Sequence, residues 1–287
     1  MAELWRYPVK SMAGERLERA VLGRLGLPGD RAFALRDEIA GEIRGARNHP
    51  VLLLCSARLV REPDAAGEER AEIVLPDGDR LASDDPALAE RLSALVGRPV
   101  TFHARRPAED RAHYRRGKFD GPDPVAEIRR LMGRLDDEPF PHFTGFPREL
   151  AEFVSPPGTY FDAFPVHVLT SASLAALRDL CPGSDVDVRR FRPNFLVELD
   201  EAKRDFVEAG WCGRRLRIGE AWIDVEIPAI RCGIPTRPQA GLAKDPSLLR
   251  AIVRHADQNL GVYGSVHSSG AVGVGDPVEI EEPSGGS

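Results

Sequence analysis

The sequence predicts a mainly β protein, a barrel or sandwich of short strands with a few helices packed on it. Three observations carry that expectation. Short apolar runs recur between Gly, Pro and Asp turns. Stretches with helical spacing are few, and alternating β-α units are too few for a doubly wound sheet. The 287 residues, 42% hydrophobic and 29% charged, suffice for a large core in one or two units.

Along the chain, Leu4 to Val9 reads as an opening strand, and Leu27-Pro28-Gly29-Asp30 as a turn into a strand over Arg31–Leu35. Val51–Leu54 is a short apolar run of the kind a buried strand shows. Ile73–Leu75 runs into the turn Pro76-Asp77-Gly78-Asp79. A helix follows over Ala87–Val96, with Asp85 suited to its N-cap and Pro86 to its first position. Residues 104–160 are rich in charge, Pro and Gly, with one helix-like piece over Val125–Leu135. They read as a connector with surface loops, where a domain boundary falls and where substrate selectivity is expected to lie. Strand patterning resumes at Val166–Leu169. Leu174, Leu177 and Leu180 then follow at helical spacing. Asn194–Leu199, Leu216–Ile218 and Trp222–Ile227 read as strands. Asp245-Pro246 opens a helix with Leu248, Leu249, Ile252 and Val253 on one face, and Val278–Ile280 closes the pattern.

Composition narrows function. A formal net charge of −6 argues against a general nucleic-acid binder, which needs a basic surface to release counterions. No run approaches the roughly 18 apolar residues of a membrane span, and Met1–Lys10 has no apolar run bounded by a cleavage site. Cysteines at 55, 181, 212 and 232 form no C-x-x-C pair, which removes support for zinc ribbons and iron–sulfur ligation. A cytoplasmic protein with reduced thiols is the expectation.

Cys232 lies in Ile227-Pro228-Ala229-Ile230-Arg231-Cys232-Gly233-Ile234-Pro235, after a strand and in a proline-stiffened loop. A neighbouring guanidinium such as that of Arg231 favours thiolate over thiol, and thiolate suits a soft transition metal. A buried space-filling Cys is the competing reading, at even odds. Thr170-Ser171 stands where a strand meets a helix. Hydroxyls there cap the first turn, or help bind phosphate; the local residues favour the plain cap. Arg189-Arg190-Phe191-Arg192-Pro193-Asn194 offers arginine forks for phosphate and an amide for a pterin edge, against the alternative of a solvated charge run. Lys10, Ser11 and Arg31 stand at strand ends. His49, His167 and His255 have no ligand-spaced partner and read as structural or surface residues.

Taken in order, Tyr7-Pro8-Val9-Lys10-Ser11, Gly29-Asp30-Arg31, Arg47-Asn48-His49-Pro50, Leu169-Thr170-Ser171, Arg190-Phe191-Arg192-Pro193-Asn194, Arg231-Cys232 and Val274-Gly275-Asp276-Pro277-Val278 resemble the MOSC family, named for the C-terminal domain of molybdenum cofactor sulfurase. The likeness is closest to its two-part, amidoxime-reducing members and their bacterial relatives. It implies an N-terminal β-barrel domain over 1–103, a connector over 104–160, a MOSC barrel with a few packed helices over 161–281 and a disordered tail over 282–287. It implies a molybdenum–molybdopterin cofactor between the two parts, with Cys232 as metal ligand and catalytic residue. Lys10, Ser11, Arg31, Thr170, Ser171, Arg192, Asn194 and Arg231 match positions that hold the pterin and its phosphate. Ala229-Ile230 replaces the Cys-Ser often found before Arg-Cys, and Arg237–Gly241 replaces an acidic turn; both bear on the substrate.

The expected activity is reduction of N-hydroxylated or N-/S-oxide small molecules. Electrons would come from a separate donor protein, ferredoxin-like or cytochrome b5-like with its reductase, with neither nucleic acid nor membrane as a partner. The alternatives are a sulfurtransferase carrying a Cys232 persulfide and a non-catalytic cofactor carrier.

Overall fold

The computed structural model describes residues 1–63 and 69–281; the tail expected to be disordered, 282–287, lies outside the described residues. The protein is mainly β. Its largest sheet has eight strands, in spatial order β16 (Val278–Ile280), β12 (Arg215–Ile218), β13 (Ala221–Ile230), β14 (Asn259–Ser268), β10 (Val166–Thr170), β11 (Phe195–Val197), β1 (Glu3–Arg6) and β2 (Glu15–Leu17). β10 and β11 are parallel, joined by a crossover through α4 (Ser171–Leu180), and the other pairings are antiparallel. β3 (Arg19–Leu22) pairs with β15 (Gly270–Gly273).

One face of the sheet curls around a core that includes Leu4, Leu22, Val168, Phe195, Ile218, Ile223 and Val262. On the other, Leu169, Leu196 and Leu260 pack against Leu174 and Leu177 of α4 and Leu248 and Ile252 of α5 (Ser247–His255). Burying each such Leu or Ile contributes about 2 kcal/mol.

The smaller part holds two three-stranded sheets. β4 (Phe33–Asp37) lies between β5 (Glu42–Ile43) and β9 (Val100–Ala104), and β7 (Ala71–Val74) lies between β6 (Ser56–Leu59) and β8 (Arg80–Ala82). They enclose a second core around Val9, Phe33, Leu35, Leu52, Ile73 and Leu92. α1 (Leu88–Val96) covers it. Asp85 accepts from the Ala87 amide and so shapes the turn before the helix, rather than capping it as expected. Val51–Leu54 belongs to a 3-10 turn over Pro50–Leu54, not to a strand. Pro50 pre-sets its first φ and has no N–H to pair in a ladder.

Residues 104–160 are more than connecting loops. Tyr114, Phe153, Val154 and Tyr160 form a buried cluster with Ala34 and Ile43, around the short α2 (Arg111–Tyr114). α3 (Pro124–Met132) is capped by Asp123, whose carboxylate accepts from the Val125 and Ala126 amides, and stops at left-handed Gly133, so it ends three residues before Leu135, the expected end.

The first 22 residues lie across the expected division of the chain: β1 pairs with β11 and β3 with β15 of the larger part, and β2 extends the large sheet through β1. Asn194 ties this arrangement together. Its Nδ2 donates to the Trp5 carbonyl at 3.2 Å and to Asp30 at 3.1 Å, and its Oδ1 accepts from the His167 amide at 3.1 Å. An Asn194→Ala substitution strands several buried polar groups at once and is expected to cost about 3 kcal/mol of stability. Paired urea titrations check this; a loss under about 1 kcal/mol would show that these bonds are weak in sum.

Candidate functional site

The site is built where the chain leaves β1. The Tyr7 carbonyl accepts from the Arg31 amide at 2.7 Å, the Pro8 carbonyl from the Phe33 amide at 3.0 Å, and the Lys10 amide donates to the Phe33 carbonyl at 2.8 Å. Asp30, fully buried, accepts from the Tyr7 amide at 2.7 Å through one oxygen, and from Asn194 and Arg31 through the other. The Ser11 hydroxyl accepts from the Ala46 amide at 2.8 Å, which sets the loop that carries Arg47.

Backbone strain concentrates here. Ser11 (φ 75°), Arg31 (φ 49°) and Arg192 (φ 57°) are three of the five non-glycine residues with left-handed backbone among the described residues. Each such residue costs on the order of 1 kcal/mol, so the surrounding bonds must impose the conformation. All three are residues singled out from the sequence.

The Tyr7 ring lies between two guanidiniums, Arg31 at 4.8 Å and Arg192 at 4.3 Å. Its hydroxyl is buried without a hydrogen-bond partner, and burial pushes the phenol up against the pull of both cations. Arg192 also donates to the Met12 carbonyl at 2.5 Å; burial, and next the charge of Arg31, push it down to about 10. Lys10 donates to the Tyr160 carbonyl at 2.8 Å and pairs with Asp162 at 2.7 Å. Burial lowers the Lys10 ammonium despite that pairing. Burial also works against ionised Asp162, but the charges of Lys10 and Arg47 hold it far below the usual carboxylate range.

Cys232 follows β13, partly exposed and free. Its sulfur is within electrostatic reach of Arg47, Arg134 and Tyr263. Arg231 turns inward instead: it donates to the Phe191 carbonyl at 2.8 Å, lies over the Phe191 ring, and leaves its Nε buried without a partner. The alternation of side chains along an extended backbone explains why adjacent residues face different ways. Burial pushes the Tyr263 phenol up to about 12.

His167 belongs to this cluster, although its sequence context gave it a structural reading. Its ring is 5.3 Å from that of Tyr263, its Nδ1 faces the Arg192 carbonyl at 3.3 Å, and the Leu260 backbone also acts on the ring. Burial, then the charge of Arg231, push it down to about 3. Gly261, at φ 85°, leaves room for the ring; a Cβ there would lie 2.3 Å from Nε2.

Lys10, Ser11, Arg31, Arg192, Arg231 and Cys232 are thus gathered around one region. Three expected site residues have other partners. Asn194 has both amide hydrogens engaged in the frame beneath the site, which leaves no donor pair for a pterin edge. The Thr170 hydroxyl donates to buried Glu208 at 2.8 Å and accepts from the Ser173 amide at 3.1 Å. Ser171 accepts from the Leu199 amide at 2.9 Å. Thr170 is thus the plain cap of α4 that its position suggests, while Ser171 ties the helix start to the Leu199 backbone. Arg47, Arg134, Asp162, His167 and Tyr263 were not singled out as site residues. For Arg47 a signal was available, in Arg47-Asn48-His49-Pro50; for the others, only tertiary pairing reveals it.

Comparison with known proteins gives matches along most of the chain. Residues 1–93 match the family model described as the MOSC N-terminal beta barrel domain, and residues 156–279 the one described as the MOSC domain. Mitochondrial amidoxime-reducing component 1 of Homo sapiens is 26% identical, over 98% of this chain and 82% of that protein. Mitochondrial amidoxime reducing component 2 of Bos taurus is 28% identical, over 97% and 82%. Among solved structures, the YuaD protein of Bacillus subtilis aligns over 97% of this chain and 92% of that one, at 14% identity and a TM-score of 0.42.

The neutral imidazole of His167 has a measurable consequence. The folded protein keeps it unprotonated down to about 3, whereas the unfolded chain takes up a proton near pH ~6.5. Its contribution is therefore full above that pH and is lost as the pH falls through the window between the two. A His167→Gln protein should lose ~1.4 kcal/mol less per pH unit than wild type between about pH 6 and pH 4. Urea titrations across this range give the comparison, and parallel profiles for the two proteins would rule out a neutral buried imidazole.

Proposed function

Because the chain belongs to the MOSC family, with the N-terminal barrel domain and the MOSC domain in that order, we propose that it is a molybdenum-cofactor-dependent reductase. Its substrates are small N-hydroxylated compounds or N-/S-oxides, and its electrons come from a separate donor protein. The names of the similar human and bovine proteins, amidoxime-reducing components, support the reductive direction.

The observation that carries this reading is the gathering of Lys10, Arg31, Arg47, Arg192 and Arg231 beside Cys232, in a chain whose net charge is −6. Asp30 and Asp162 are the carboxylates paired into this group. Such a surplus of cations in a partly desolvated region favours an anionic ligand. The orphaned Tyr7 hydroxyl and Arg231 Nε each cost about 1–3 kcal/mol when unanswered, and a ligand rich in polar ring atoms would answer them. A phosphate-bearing pterin with its metal fits these residues.

Cys232 would supply the protein's soft ligand, through sulfur. When bound, the cofactor supplies two-electron redox chemistry coupled to removal of a substrate oxygen. Lys10, Arg31, Arg47 and Arg192 would neutralise the phosphate and orient the pterin. Arg231, fixed on the Phe191 carbonyl, presents its free Nε. Tyr263 keeps its phenolic proton at neutral pH and can donate a hydrogen bond from Oη. In this reading Thr170, Ser171 and Asn194 act by holding the frame.

Wild type purified from a host that makes the cofactor is expected to contain close to one molybdenum and one pterin per chain, and Cys232→Ala less than about a tenth of that metal. Metal and pterin analysis of both proteins decides. Full metal occupancy in the variant would remove Cys232 as the ligand. A metal-free wild type bearing a labile sulfur on Cys232 would favour a sulfurtransferase.

A further inference from the structure

We infer that Arg134 is a positioning residue for the loop that carries Cys232, and that α3, in the segment between the two barrel parts, serves as the clamp that holds this loop. The inference rests on Cys232 being the working thiol, but its test does not require a bound cofactor.

Arg134 follows the left-handed stop of α3 and is 5% exposed. Its guanidinium reaches three acceptors from three parts of the chain. Nη1 donates to the Met132 carbonyl at 2.8 Å, Nε to Gln258 Oε1 at 2.9 Å, and Nη2 to the Arg231 carbonyl at 3.0 Å, the peptide that leads into Cys232. The last two contacts join the Cys232 loop to the turn before β14. Gln258 closes the same link through its backbone, accepting from the Arg231 amide at 2.9 Å. Asp257 (φ 44°) and Gln258 (φ 69°) are the two remaining left-handed non-glycine residues among those described. Strain is thus found at the Gln258 end of this contact set and at the cation cluster, which is how an over-determined functional geometry is held.

The α3 terminus meets the loop directly. The Gly233 amide donates to the Leu131 carbonyl at 3.4 Å. A Cβ on Gly133 would lie 3.0 Å from Gly233 Cα and 2.8 Å from Leu249, so the two backbones pass where a side chain does not fit. From the outer side, Arg250 of α5 donates to the Gly133 carbonyl and pairs with Glu138 at 2.5 Å. Glu138 is thereby engaged, and the charges that act on Arg134 include Glu138 and Arg250. A planar five-donor fork satisfies this divergent set of acceptors; a lysine ammonium, a single point at the end of a flexible stem, does not.

Local hydrogen–deuterium exchange of the purified full chain tests the assignment, with Arg134→Gln, Arg134→Lys and, as control, Arg130→Gln on the exposed face of α3. The Arg231 and Gly233 amides are expected to exchange about tenfold faster in both Arg134 variants, with β4 and β7 amides unchanged. Unchanged exchange at the loop, equal acceleration throughout the chain, or full recovery in Arg134→Lys would each overturn the inference. The last would mean that charge rather than geometry holds the loop. If Arg134→Gln fails to fold, Gln258→Asn tolerates the left-handed backbone while pulling the acceptor back by one methylene, and the same local acceleration is expected. Where wild type carries molybdenum, the Arg134 variants should also alter the metal's electron paramagnetic signature. A molybdenum-free wild type defeats the proposed function and leaves the exchange result to judge the clamp.

Discussion

Asp30 sits where the two parts of the protein meet, and much of the site depends on what its carboxylate holds. One oxygen fixes the Tyr7 amide; the other takes Asn194 and Arg31. Through Tyr7 it sets the exit of β1. Through Arg31 it sets one of the guanidiniums that flank the Tyr7 ring, and through Asn194 it reaches Trp5 and the His167 amide. A fully buried carboxylate is costly unless donors surround it. The strained backbone of Arg31 follows from the same constraint, since the residue must pair both with Asp30 and with the Tyr7 carbonyl.

The cation cluster shows how such a frame gathers like charges in one place. Lys10 and Arg31 come from the first 31 residues, Arg47 from the following loop, Arg192 from the approach to β11, and Arg231 from the end of β13. Like charges repel, so they remain together only because Asp30, Asp162 and the Met12, Tyr160 and Phe191 carbonyls hold them. The Tyr7 hydroxyl and Arg231 Nε, buried in this cluster without a hydrogen-bond partner, show that the frame fixes geometry ahead of answering every polar atom.

Much of this was legible in the sequence. The apolar runs around Val166–Leu169, Trp222–Ile227 and Phe33–Leu35 are strands, and the periodic Leu and Ile of α4 and α5 do face a core. β14, at the centre of the large sheet, was not read, because Gly261, Gly264 and His267 interrupt its apolar pattern. Gly264 is required there by contact with Ile223 and the Asp224 carbonyl, where a Cβ would lie at 2.6 and 2.8 Å. β2 and β3 were hidden by their charged residues, which suit strands with an open face. At the site, residue type pointed to the cations and Cys232, while Asn194 showed only that an amide was present, not that its hydrogens were engaged. Asp162, His167, Tyr263 and Arg134 stand among ordinary neighbours in sequence and acquire a role only through contacts many residues away.

The passage of the first strands into the large sheet also bears on how the chain reaches this structure. Glu3 pairs with Leu196, and Leu22 with Gly270, so these strands wait for segments far along the chain before their ladders close. Contacts of such long sequence separation slow folding, because loop entropy is lost before the pairing is gained. In the meantime β1 presents unpaired backbone and apolar side chains, including Leu4 and Trp5, a surface open to chaperones or to mispairing with another nascent chain. A fold whose β1 and β3 close only on strands much further along the chain therefore completes the surroundings of Lys10 and Arg31 late in folding.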